Sequence, residues 1–298
     1  MTSKISIVIP TIEEKALFDI IKRLKKMFGR DVEIIVVDKS SERYYKKVKA
    51  TGVKVIRQRD SGVENAIMEG LRAATGNILA SIDADGTHNM EGIKEGIEKI
   101  ESKEADLVLG NRFGSLTKGA MSPHIIFGNK AISKIYSQFY GVNIHDVLTG
   151  LFVMTRESFE SIRNVKPYRA GIAFFAIEVA KKGYSVGEVP IAYYPRSSGE
   201  SKLARSKVAY GINVTSHIIR FARDYNPLLI FGLLGVILIV AGGILGIYVI
   251  LNFLQTGAFT LIGRSLISFM LIIAGLLSIM AGFILDLLLE VARKLEKG

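Results

Sequence analysis

Up to Lys202, short apolar runs rich in Ile and Val alternate with stretches whose apolar residues recur every three or four positions. The β-branched runs predict strands at Ile5 to Ile9, Val32 to Val37, Val53 to Arg57, Ile78 to Ile82, Leu107 to Leu109 and Leu151 to Met154. The longer period predicts helices at Glu14 to Met27, Val63 to Ala74 and Met90 to Ile100. Strands separated in this way by helices predict an α/β domain over residues 1–202, a mostly parallel sheet covered by helices.

The pattern then changes twice. Between Leu203 and Asp224, Val208, Ile212, Ile218, Ile219 and Phe221 are interleaved with Lys207, Arg220 and Arg223. This predicts a juxtamembrane amphipathic helix over residues 203–226, with a solvated connecting helix as the plainer alternative. From Tyr225 to Gly263 there is no charge, and Leu228 to Leu251 is almost continuously apolar, which as a helix is about 36 Å long. Ser265 to Leu285 is again uncharged and long enough to return, so residues 227–298 read as a transmembrane hairpin with a short tail. Lys202, Arg205, Lys207, Arg220 and Arg223 precede the first span and Arg293, Lys294 and Lys297 follow the second, against Arg264 alone in the turn. That asymmetry predicts an integral membrane protein of two spans, with the large domain and both termini cytoplasmic. Gly242 and Gly246 form a small-xxx-small pair suited to close helix approach, either inside the hairpin or between protomers of a homo-oligomer. At the N-terminus, Ile5 to Ile9 is too short for a signal-peptide core and runs into Pro10.

Composition narrows the chemistry. Of 298 residues 49% are hydrophobic, consistent with a chain that meets lipid. The absence of Cys excludes disulfide frameworks, thiolate metal sites and Cys nucleophiles. Lys and Arg outnumber Asp and Glu by 39 to 28, a net +11 that suits phosphate-bearing substrates or an anionic membrane face. Much of that charge flanks the spans and no recognition motif accompanies it, so nucleic acid is not an expected partner.

In a parallel sheet ligands gather beyond the carboxyl ends of the strands. Those ends carry Pro10, Thr11 and Glu14 after the first strand, Asp38 after the second, Asp83 and Asp85 after the fourth, and Asn111 and Arg112 after the fifth. Carboxylates at i and i+2 on an extended turn can share a hard divalent cation, Mg²⁺ or Mn²⁺. Neither a glycine-rich dinucleotide fingerprint nor a Walker A lysine loop follows the first strand.

Taken together, Ile7-Val-Ile-Pro-Thr-Ile-Glu-Glu14, Ile35-Val-Val-Asp38, Asp83-Ala-Asp-Gly-Thr-His88, Gly110-Asn-Arg-Phe113, Asp146-Val-Leu-Thr-Gly150, Glu188-Val-Pro-Ile191 and Arg196-Ser-Ser-Gly-Glu-Ser-Lys202 resemble the family-2 glycosyltransferases of GT-A fold. The likeness is to the dolichol-phosphate mannose synthase and polyprenyl-phosphate glucosyltransferase group. There are departures. Ile12 and Glu13 stand where the family usually has Tyr-Asn, and Lys39 where a second Asp usually follows Asp38. Glu178 lies one turn beyond Phe174, the position at which an acidic residue is often found.

The resemblance implies inverting transfer of one sugar from a nucleotide sugar to a dolichyl or polyprenyl phosphate, making a lipid-linked sugar donor. GDP-mannose is the first expected donor, and UDP-glucose or another UDP-sugar the alternative. Asp83 and Asp85 would hold Mg²⁺ or Mn²⁺, with Asp85 the catalytic ligand. Pro10, Thr11, Glu14, Asp38, Asp83 and Asp85 would bind the nucleotide sugar. Arg112, Arg196, Ser201 and Lys202 would bind the lipid phosphate, and Arg112 and Asp146 would join Asp85 as catalytic residues, Asp146 as orienter or base. A different class of function, a non-catalytic membrane scaffold or sensor with a degenerate transferase domain, fits less well with the retained Asp83, Asp85, Arg196 and Lys202. Processive polysaccharide synthases of the same broad family carry a Trp signature that this Trp-free chain lacks.

Overall fold

The computed structural model describes residues 4–29, 32–117, 119–168, 171–195, 227–258 and 261–295. The chain divides into two compact units, Met1–Val214 and Thr215–Gly298, and each is described by itself.

The first unit is built on seven strands, β1 (Ile5–Thr11), β2 (Val32–Asp38), β3 (Lys54–Arg57), β4 (Ile78–Ser81), β5 (Leu107–Leu116), β6 (Phe152–Thr155) and β7 (Val186–Tyr193), in the order β3-β2-β1-β4-β6-β5-β7. Only β6 runs against its neighbours, between β4 and β5. The helices are α1 (Leu17–Phe28), α2 (Glu42–Lys49), α3 (Val63–Ala73), α4 (Glu91–Glu101), α5 (Pro123–Tyr140), α6 (Arg156–Ile162) and α7 (Ala173–Lys181).

Strand alternation explains how β1 sits between two layers. Ile7 and Ile9 share a core with Leu17, Ile20, Ile21 and Leu24 of α1 and Ile93 and Ile97 of α4. Val8 points the other way and lies beneath Gly70 of α3. Both faces are covered, so the strand reads as a continuous apolar run. Further along the sheet Phe152 stacks on Phe175 of α7 with ring centroids 5.1 Å apart, and both are fully buried. Each such burial contributes about 1.5–3 kcal/mol.

Two elements depart from the sequence expectation. The fifth strand runs on to Leu116, so Asn111 and Arg112 lie within it rather than beyond its end, because β7 pairs alongside with a register shift between Asn111 and Ser115. That partner, β7, contains Pro190, which reads as a strand breaker. It is tolerated because β7 closes the edge of the sheet.

The chain leaves β1 toward β2 and β3 on one side and toward β4 on the other. The crossovers part between β1 and β4, and this switch point opens a crevice at the strands' carboxyl ends.

The second unit is a helical pair, α8 (Pro227–Thr256) and α9 (Ile262–Leu295). Both are long and apolar enough to cross a membrane, with mean hydropathies of 2.9 and 2.5, and leave 11% and 17% of their apolar windows buried. A helix apolar on every side and exposed along its length suits lipid. Between them, Gly235 and Gly275 abut so closely that a Cβ on either would lie 2.5–2.6 Å from the other's carbonyl oxygen. Ser268 Oγ donates to the Gly242 carbonyl and Ser278 Oγ to that of Phe231, both at 2.7 Å. Gly242, which the sequence offered to hairpin or protomer packing, thus faces α9 of its own chain.

Candidate active site

One wall of the crevice is the end of β1 and β2. Thr11 is buried, Pro10 half-buried, and the Glu14 carbonyl accepts from Tyr44 Oη at 2.5 Å. Asp38 is fully buried. Its Oδ1 accepts from the Ser40 amide at 3.2 Å and from the Ser40 hydroxyl, and its Oδ2 from Arg57 Nη1 at 2.9 Å. Arg57 also donates to the Ser40 carbonyl and to Glu42, and lies 4.1 Å over the Tyr45 ring. Glu13 straps this wall together. Its amide donates to Ser40 Oγ at 2.7 Å, its carboxylate accepts from the Ser41 amide at 3.2 Å, and its φ is 51°.

The floor is the turn after β4. Alternation continues past the strand, with Ile82 and Ala84 buried in the core and Asp83 and Asp85 half-buried on the crevice side. Asp85 Oδ1 accepts from the Thr87 amide at 3.1 Å and from its hydroxyl at 2.7 Å. His88 is buried between the two arms of the site. Its Nε2 accepts from the Gly150 amide at 3.2 Å, and its Nδ1 lies 3.1 Å from Thr87 Oγ1 and 3.9 Å from Asp83. Burial, helped by the charge of Arg112, lowers the His88 pKa to about 3 against the opposing pull of Asp85, so the ring is neutral.

Asp83, Asp85 and His88 each offer a ligand atom, all within 4.8 Å of one another. Both His88 nitrogens have protein partners, so the carboxylates are the groups that fit a cation, and an oxygen pair of this kind suits Mg²⁺ or Mn²⁺. Gly150 is part of the fit, because a Cβ there would run into the Asp83 carboxylate and lie 2.6 Å from the His88 ring.

The opposite wall is an ion pair sealed inside. Arg112 Nε and Nη2 donate to the two Asp146 oxygens at 2.7 and 2.8 Å, the Arg112 amide adds a third bond at 3.1 Å, and Nη2 also reaches the Leu148 carbonyl at 2.9 Å. Burial opposes charge on Arg112, but the hydrogen bonds and charge of Asp146 outweigh it and raise its pKa. The guanidinium lies 5.4 Å from the Tyr193 ring, which meets His88 edge-on at 5.2 Å. A bridge between His88 and Tyr193 ties the end of β7 to the Asp85 turn. Burial raises the Tyr193 pKa, so its hydroxyl keeps its proton.

The structure thus gathers Pro10, Thr11, Glu14, Asp38, Asp83 and Asp85 at the switch point, and joins Arg112 to Asp146. Arg112, expected to meet a lipid phosphate, has its guanidinium engaged on Asp146. Glu178 is turned to Tyr168 and Lys181 instead. Arg196, Ser201, Lys202 and the amphipathic segment lie outside the described residues. Sequence reasoning missed Arg57, Thr87, Gly150 and Tyr193, and left His88 aside. Gly150 and Thr87 stand inside quoted motifs and so carried a signal, whereas Arg57 is revealed only by its register opposite Asp38.

Comparison with known proteins agrees with this arrangement. The model of glycosyl transferase family 2 matches residues 6–163, more than half of the chain. A dolichyl-phosphate hexose transferase of Haloferax volcanii is 30% identical over 64% of this chain and 82% of its own. A dolichol-phosphate mannosyltransferase of Pyrococcus furiosus is 29% identical over 78% and 68%. The hexosyltransferase Agl6 of Haloferax volcanii is 28% identical over 67% of this chain, which spans about half the length of that relative. Among solved structures, glucosyl-3-phosphoglycerate synthase from Mycobacterium tuberculosis shares the fold, with a TM-score of 0.55 at 16% identity over 74% of this chain and 79% of its own. The matched stretch takes in the ends of β1 and β2, the Asp83/Asp85 turn and the Arg112 and Asp146 pair, and on that ground the chain belongs to glycosyl transferase family 2.

Proposed function

We propose that this chain transfers a single hexose, with inversion, from a nucleotide sugar to a dolichyl or polyprenyl phosphate at the cytoplasmic face of a membrane. One observation carries the reading: a carboxylate pair at the switch point of a family-2 transferase sheet, in a chain that also has two membrane-length apolar helices. The named relatives that act on dolichyl phosphate support the acceptor, and the mannosyltransferase among them favours GDP-mannose as donor over UDP-glucose or another UDP-sugar.

In this reading Thr11, Glu14 and Asp38 line the nucleoside end, and Asp83 and Asp85 hold Mg²⁺ or Mn²⁺ beside the diphosphate. Asp83 and Asp85 would thereby supply, through a bound cation, Lewis-acid stabilisation of the negative charge on a diphosphate leaving group. The acceptor needs no activation, because a phosphate monoester with a second pKa of about 6 is largely dianionic at neutral pH. Asp146, clamped by Arg112, orients rather than abstracts a proton. Arg112 lends positive field to the crevice, and contact with the lipid phosphate falls to Arg196, Ser201 and Lys202. The basic flanks of both apolar helices support a cytoplasmic domain with both termini on the same side.

The test is to incubate membranes holding the full chain with dolichyl or polyprenyl phosphate, Mg²⁺ or Mn²⁺, and a panel of labelled nucleotide sugars. Label should enter the organic phase from GDP-mannose, with Asp85→Asn abolishing it. Retention of every sugar in water with all metals and lipids would overturn the transferase reading in favour of a scaffold or sensor.

A further inference from the structure

The direction in which Asp85 points is set by hydrogen bonds whose proton order is determined. An amide N–H only donates, so His88 Nε2, 3.2 Å from the Gly150 nitrogen, is the bare ring nitrogen. The neutral ring therefore carries its single proton on Nδ1, which faces Thr87 Oγ1 at 3.1 Å. The Tyr193 ring meets the His88 ring edge-on at 5.2 Å and closes this side of the turn.

A threonine hydroxyl has one proton and two lone pairs. With His88 donating to one lone pair, its own proton is directed to Asp85 Oδ1, 2.7 Å away. The Thr87 amide donates to that same oxygen at 3.1 Å, so one Asp85 oxygen is held by two donors, which also fixes where the second oxygen lies. Thr87 and His88 are 3% and 5% exposed, so water does not compete for these bonds.

We propose that Thr87, its hydroxyl oriented by His88, is a positioning residue that presents the Asp85 carboxylate to a divalent cation. This rests on the reading of Asp83 and Asp85 as the cation pair. Neither His88 nor Thr87 touches the cation. They pre-order its ligand, so that the carboxylate does not have to be ordered when the ion arrives.

The experiment is a Mn²⁺ titration of the full chain in detergent, following the electron paramagnetic resonance signal of the free ion, with Asp85→Asn as the control. Thr87→Val keeps the shape and removes the hydroxyl, and its Mn²⁺ affinity should fall about tenfold or more. Thr87→Ser restores the hydroxyl and should bind as the wild type does. If Thr87→Val binds Mn²⁺ like the wild type, or Thr87→Ser loses as much as Thr87→Val, the positioning role is overturned and the cation pair stands. If the wild type binds no more Mn²⁺ than Asp85→Asn, the cation reading itself fails, and this proposal with it.

Discussion

Two fully buried carboxylates face the crevice from opposite halves of the sheet, each answered by an arginine, and they are held on different terms. Asp38 and Arg57 stand directly opposite on β2 and β3, and 38% of the Arg57 side chain remains exposed. Asp146 and Arg112 join a loop to β5 across 34 residues of sequence, and 8% of Arg112 is exposed. An arginine at the rim keeps part of its charge in water, so it can exchange its partner for a ligand with only the carboxylate left desolvated, and Ser40 still bonds that carboxylate. An arginine sealed in the interior cannot, because separating it leaves two desolvated charges. Under the proposed reading the β2–β3 side is fitted to adjust to an incoming nucleotide, and the β5 side to hold a loop in place.

The largest effect should follow from breaking the sealed pair. Asp146→Asn leaves Arg112 buried without its counter-charge and should destabilise the chain by about 3–5 kcal/mol, read as a fall in melting temperature with loss of transfer. Arg112→Lys should not rescue the fold, since an ammonium cannot make the two-pronged contact and reach Leu148 as well. Full stability in Arg112→Lys would show that charge alone holds the loop.

Next is Gly150, where the sealed loop meets the Asp83/Asp85 turn. Gly150→Ala forces the Asp83 carboxylate and His88 ring aside and should cost about 1–3 kcal/mol, with Mn²⁺ affinity reduced alongside. Arg57→Gln should do less, about 1 kcal/mol, because the rim is wet and the Ser40 bonds to Asp38 remain. Under the proposed reading its kinetic signature is a raised KM for the nucleotide sugar with kcat little changed. A loss of kcat equal to that of the Asp146 variant would erase the distinction between the two sides.

Legibility in the sequence follows the same division. Asp38, Asp83 and Asp85 were visible because each ends or follows a strand whose alternation is strong, and strand ends are local features. The two long C-terminal helices were visible because an uncharged apolar run of that length is a feature of composition. Arg112 was read as lying beyond its strand because the strand was cut short at Leu109. Its partner Asp146 is 34 residues distant, and that distance carries no periodic signal. The antiparallel insertion of β6 and the edge strand β7 were hidden for a related reason, since pairing order depends on long-range contacts that hydrophobic period does not encode.

The smallest effect tests a departure from the family pattern that the structure makes physical. Glu13 occupies a position where the family usually has Asn, and its φ of 51° is in the left-handed region. Asn tolerates that conformation through its short side chain, whereas a residue such as Glu pays about 1 kcal/mol. Here the strain is opposed by the bonds of Glu13 to Ser40 and Ser41, the first through the backbone and the second through the carboxylate. Glu13→Asn keeps the backbone bond, relieves the strain and gives up the exposed carboxylate contact. A net gain of about 0.5 kcal/mol is expected, a rise of one or two degrees in the melting temperature of the full chain in detergent. A fall instead would mean that the Glu13 carboxylate, by tying the end of β1 to that of β2, contributes more than the strain removes, and that the adjustable wall depends on that strap.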